Sequence, residues 1–176
     1  MSKQSKIKLK NERVKRHYFR WMQGAKGFSD KSIDSMEKAL WKYEEATNES
    51  DYALFSDKKA DEFKKYLQTQ SNKRTGESLS LTSQYHHLRH VKNFFIWLSG
   101  QPGYKSKVSA NDAQYLSLSQ KDRRLATTSK EPKYPTLDQI RTLCEFPIND
   151  EIDMRDQALI AFTALTGMRD SAIVTT

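Results

Sequence analysis

Apolar residues recur every three or four positions in four long stretches of the chain, and polar or glycine-containing segments separate them. Val14, Tyr18 and Trp21 predict one face of a helix that starts near Asn11 and ends around Gly24 and Gly27, where glycine can take the left-handed conformation that closes a helix. Ile33, Met36, Leu40, Trp41 and Tyr43 predict the packed face of a second, with Ser29 as its N-cap and its end near Thr47. A third starts after Ser56, with Ala60, Phe63 and Leu67 inward and Lys58, Lys64 and Lys65 outward. Small and polar residues from Ser71 to Ser80 then make a loop. The fourth helix has the cleanest period: Tyr85, Leu88, Val91, Phe95 and Leu98 form its packed face, and Gly100, Pro102 and Gly103 end it. His86, His87, Arg89, His90, Lys92 and Asn93 occupy its other faces, open to solvent or a ligand. A short fifth helix is expected from Ser109 to about Leu118.

From Ser119 to Lys133 the pattern lapses into polar residues and a proline, which reads as an interdomain linker. Beyond it, Thr136 and Gln139 form a T-x-x-Q capping box that opens a helix carrying Leu137, Ile140 and Leu143. Another helix runs from about Asp153 to Thr166 through Leu159, Phe162 and Leu165. No segment reads as a strand and no repeat is present. The expected organisation is all-α, with a basic arm over 1–10, a helical domain over 11–118, a linker over 119–134 and the start of a second domain over 135–176.

Charge narrows the partners. Lys and Arg outnumber Asp and Glu by 30 to 22, a net charge of +8, which favours a polyanion such as nucleic acid. Lys3, Lys6, Lys8 and Lys10 make the N-terminus a flexible arm that reaches phosphates, continued by Arg13, Lys15, Arg16 and Arg20. Cys144 is the only cysteine, so no disulfide forms within the chain, and its place beside Leu143 makes it a small buried hydrophobe. With no apolar run of signal-peptide or membrane-span length, a cytoplasmic protein without a membrane partner is expected. His86 and His90 stand four apart on one helix face, but no third ligand has a metal spacing. They are read as surface or DNA-facing, and no metal site is expected.

The most specific stretch is RDQALIAFTALTGMRDSAI, Arg155 to Ile173. It resembles the first conserved box of the tyrosine recombinases, or phage integrases, in which an R-D-x-A-L helix meets T-G-x-R followed by small and apolar residues. GFSDKSIDSMEKALWKYEE resembles the second helix of that family's core-binding domain, and SLTSQYHHLRHVKNFFIWLSGQPG its fourth. PTLDQIRTL resembles the opening of its catalytic domain, so the likeness spans most of the chain beyond the basic arm.

The resemblance implies a SAM-like helical core-binding domain, then a linker and the first helices of an incomplete integrase catalytic domain. Double-stranded DNA is the implied partner, with self-association on DNA in the full-length protein and a nucleoid-associated place in the cytoplasm. Arg169 stands where the family's arginine contacts the scissile phosphate. A planar, permanently charged guanidinium is suited to that task, because it bonds two non-bridging oxygens at once as charge develops on them. Lys31, Ser83, Gln84, His87, Arg89 and Lys92 are the expected DNA-binding residues. The family's catalytic lysine, His-x-x-Arg pair and nucleophilic tyrosine lie downstream of this box, so the chain is expected to bind DNA without cutting it. The parent activity uses no cofactor, since the phosphotyrosyl bond conserves the energy of the one it replaces. Two other readings fit the same residues: a non-catalytic DNA-binding regulator sharing the helical domain, and a helical protein-interaction module with incidental basic charge.

Overall fold

In the computed structural model, which describes residues 3–71, 76–128 and 134–168, the chain divides into two units, Met1–Thr128 and Ser129–Thr176. All regular structure among the described residues is helical apart from one isolated bridge between Ser71 and Ser78. The all-α class is therefore observed.

Unit one holds α1 (Lys3–Lys26), α2 (Asp30–Ala46), α3 (Asp57–Thr69), α4 (Leu81–Ser99) and α5 (Gln120–Thr127), with short 3-10 turns at Tyr52–Leu54 and Asp112–Tyr115. Gly27 closes α1 at φ +68°, where its amide and that of Phe28 donate to the Gln23 and Met22 carbonyls. Ser56 caps α3 and Ser80 caps α4, each side chain accepting an amide of the first turn. Ser29 precedes α2, but its hydroxyl lies 3.1 Å from that of Ser32 and makes no side-chain cap bond.

The core is aromatic. Phe55 stacks on Phe95 with ring centroids 3.7 Å apart, Tyr52 meets Phe94 edge-on at 4.9 Å, and Tyr43 meets Phe95 at 5.0 Å. Such pairs add about 1 kcal/mol each beyond the area they bury. They join α2, α4 and the Tyr52 turn, while Tyr18 and Trp97 at 5.1 Å join α1 to α4. Lys15 is buried beneath α2, 1% exposed, with its ammonium on Glu12 and on Glu44 Oε2 at 2.9 Å. Tyr52 completes the cluster by donating its hydroxyl to Glu44 Oε1 at 2.6 Å.

Unit one departs from the sequence expectations at four places. The arm over 1–10 is helical from Lys3, and Lys8 and Lys10 are held by Glu49 and Asp51 at 2.8 and 2.7 Å. Those carboxylates arrive from the α2–α3 connection, about forty residues on, so no local pattern announces them. The expected linker contains α5, because Ser119 caps the amide of Asp122 and Ala126 is buried with its carbonyl accepting from Thr82 Oγ1. The fifth helix expected from Ser109 to Leu118 is only the 3-10 turn at Asp112–Tyr115, anchored by buried Ala113 and Leu116. Trp41, expected in the core, is 52% exposed because Leu40 and Tyr43 already fill the inward positions of α2.

Unit two holds α6 (Leu137–Cys144) and α7 (Glu151–Thr166). The expected capping box is present: Thr136 Oγ1 accepts the Gln139 amide and Gln139 Oε1 accepts the Thr136 amide. Gly167 ends α7 at φ +63°, a conformation that strains any residue with a Cβ. No residue described in this unit is buried, and Leu137 and Leu165 are 73% and 87% exposed. Two helices of 8 and 16 residues cannot enclose side chains between them. Cys144, expected buried, is half-buried for the same reason.

Candidate nucleic-acid interface

Helix periodicity brings the cations of α2 into one stripe. Lys31, Lys38 and Lys42 are spaced seven and four apart, close to whole turns, so they point the same way. The stripe runs beside α4 in the opposite direction. Lys42, near the end of α2, acts electrostatically on His87 in the first half of α4, whereas Phe28, just before α2, shares a groove with Ile96 and Trp97 near the end of α4. Among the described residues none of these three lysines forms an ion pair.

Alongside, α4 presents His86, Arg89 and Asn93 to solvent, with His87, His90 and Lys92 half-buried at the edges of the same surface. Burial, reinforced by the charge of Lys42 and the neighbouring histidines, holds His87 down at about 4. Burial, with Arg89 and His86, does the same to His90. Both rings are therefore neutral near pH 7, each with one nitrogen free to donate and one to accept. Lys92 is also held below its ordinary value, by burial and by Arg123 of α5, while its ammonium donates to Ser117 Oγ at 3.1 Å. The surface thus combines fixed positive charge with neutral hydrogen-bonding groups.

Of the expected DNA-binding residues, Lys31, His87 and Arg89 lie on this α2–α4 surface, and Lys92 lies on the flank of α4 that faces Ser117 and Arg123. Ser83 sits in the first turn of α4, half-buried, its hydroxyl 3.0 Å from that of Ser80. Gln84 is corrected: it is buried, and its amide nitrogen donates to the Leu79 carbonyl at 2.8 Å, fastening the loop before α4 to the helix. Arg169 lies outside the described residues. Among those described, no three His, Cys, Asp or Glu side chains are grouped to hold a metal ion, and no helix is long and apolar enough to cross a membrane.

Sequence reading missed Lys38, Lys42 and Arg123. The two lysines carry no motif, and the segment around Arg123 reads as linker. A signal for α5 was nevertheless present in Ser119-x-x-Asp122, the pattern of a helix cap. No protein-family model, no curated protein and no solved structure matches the chain.

Proposed function

We propose that this chain is the DNA-binding part of a tyrosine-type site-specific recombinase, acting in DNA integration and recombination. The observation that carries the DNA half of this reading is the stripe of Lys31, Lys38 and Lys42, none in an ion pair among the described residues, beside Arg89 of α4. A helix is 10 to 12 Å across and the major groove about 12 Å wide, so α4 matches the groove while the α2 lysines reach flanking phosphates. Lysines on phosphate supply affinity, and Arg89, His87 and Asn93 have the donors and acceptors to read base edges.

The recombinase half rests on the Arg155–Ile173 resemblance, supported by the left-handed Gly167 that ends α7 just before Met168 and Arg169. In such an enzyme a tyrosine oxygen attacks the phosphorus, the 5′-oxygen leaves as a hydroxyl after taking a proton, and a 3′-phosphotyrosyl bond holds the strand until the step reverses. Arg169 would bond the non-bridging oxygens as they gain charge. Self-association on DNA and a nucleoid-associated location follow from that role.

Titrating the chain with duplex DNA across salt concentrations tests the first half. Log affinity should fall linearly with log salt by about 0.9 per phosphate neutralised. No binding at low salt overturns both DNA readings and leaves the protein-interaction module. Reading the codons after Thr176 tests the second half. A His-x-x-Arg pair and a later tyrosine support the recombinase, while an open frame without them supports the non-catalytic regulator.

A further inference from the structure

We infer that α5, in the segment expected to be a linker, completes a backbone-phosphate site on unit one, in which Arg123 closes on a DNA phosphodiester together with Arg89 and Lys92. The inference rests on the DNA reading above and assigns that surface a residue outside the α2–α4 face. A concave cleft of about 210 Å³ lies between α4, α5 and the turn that joins them, with Tyr85, Arg89, Lys92, Asn93, Ser117 and Arg123 along its walls. Three cations face it and no carboxylate does. The nearest acid of α5, Asp122, lines the neighbouring hollow and accepts from Ser119 Oγ at 2.7 Å. Neither Arg89 nor Arg123 has a side-chain partner among the described residues. Holding like charges together in a half-enclosed cleft is unfavourable without an anion, and an anion there offsets the Arg123 charge that adds to burial in holding Lys92 below its ordinary value.

The remaining donors suit a tetrahedral phosphate. Two guanidiniums offer planar forks, Lys92 is already aimed by Ser117, and Asn93 adds a neutral amide. Leu88, Leu116 and Leu118 make an apolar floor, which suits the sugar of a diester better than a free hydrated ion. The cleft therefore favours a phosphodiester over free phosphate, and with the DNA reading above the assigned ligand is a duplex.

The test uses the whole chain with a short duplex of arbitrary sequence, and separately with inorganic phosphate. Arg123→Ala should weaken duplex binding about tenfold, as expected for losing one hydrogen-bonded charge contact, and lower the salt slope by about one. Arg123→Lys should recover part of the affinity. Arg123 is exposed, so an unchanged far-ultraviolet circular dichroism spectrum is expected, and a variant that unfolds overturns the assignment by making Arg123 structural. In amide-resolved NMR, duplex should shift Lys92, Ser117 and Arg123 together at micromolar concentration. The same shifts with inorganic phosphate at equal concentration overturn the duplex assignment in favour of a free-anion site. If wild type binds duplex steeply with salt while Arg123→Ala matches it and Lys38→Ala does not, this inference fails and the DNA reading stands. If wild type binds no duplex, both fail.

Discussion

Replacing Lys15 by Met should destabilise unit one by about 3 kcal/mol, because it leaves the Glu44 carboxylate charged and without its cation. The two side chains are 1% and 15% exposed and meet at 2.9 Å. Breaking such a pair from one side costs about 3 to 5 kcal/mol. The lower end applies here, since Glu44 keeps the Tyr52 hydroxyl and Glu12 can turn to water from its 37% exposed position. Methionine fills nearly the volume of the lysine stem, so the effect comes from charge and not from a cavity. All three tryptophans, Trp21, Trp41 and Trp97, lie in unit one, so tryptophan fluorescence during urea unfolding follows that unit alone. With a slope near 1.5 kcal/mol per molar urea, the midpoint should fall by about 2 M. Adding Glu44→Gln should recover about 1 to 2 kcal/mol, because the amide no longer needs a cation and its oxygen still accepts from Tyr52. A single variant within about 0.5 kcal/mol of wild type would refute the reasoning, since that is the effect of a surface change. Burial pulls Lys15 down, yet the hydrogen bonds and charges of Glu12 and Glu44 outweigh it and raise it above 10.5. Its contribution is thus complete below pH 10.5 and is lost as pH rises through the folded value, so Lys15→Met should flatten the alkaline limb of stability against pH.

Acid should act through His87 and His90, which sit at about 4 when folded against 6.5 otherwise, so stability should fall as pH drops from about 6.5 toward 4. A His87→Gln/His90→Gln variant followed by thermal melts should lose that slope. Gln84→Ala should cost about 1 kcal/mol in urea unfolding, because the Leu79 carbonyl loses its donor, while site preference in DNA titrations stays as in wild type. Trp41→Ala should cost less than about 1 kcal/mol, and iodide should quench the Trp41 share of wild-type fluorescence, as expected for an exposed indole. On the proposed recombinase reading, Arg169→Lys in the active enzyme should leave duplex affinity nearly intact and remove most covalent adduct, because an ammonium lacks the two-pronged contact. Adduct forming at the normal rate would refute the assigned role.

Local patterns sufficed for much of the secondary structure. The periods of Ala60, Phe63 and Leu67 and of Leu88, Val91, Phe95 and Leu98 placed α3 and α4, since a helix needs only a repeating apolar stripe and a terminator. The Thr136–Gln139 box and Gly167 were legible because caps depend on residues within one turn. Of the candidate interface, Lys31, His87, Arg89 and Lys92 could be named because they lie on the polar faces of α2 and α4.

Tertiary packing decided the rest, because it depends on partners distant in the chain. Basic residues at positions 8, 10 and 15 look like a nucleic-acid arm until Glu49, Asp51 and Glu44 arrive to neutralise them. A polar segment such as 119–128 reads as linker until Ala126 finds a place against α4. Gln84 has the chemistry of a base reader, and what commits it inward is its burial in unit one, with its amide nitrogen on the Leu79 carbonyl only five residues before it. Which cations remain free for a phosphate is thus a difference between those the chain carries and those its own carboxylates take up, and folding performs the subtraction.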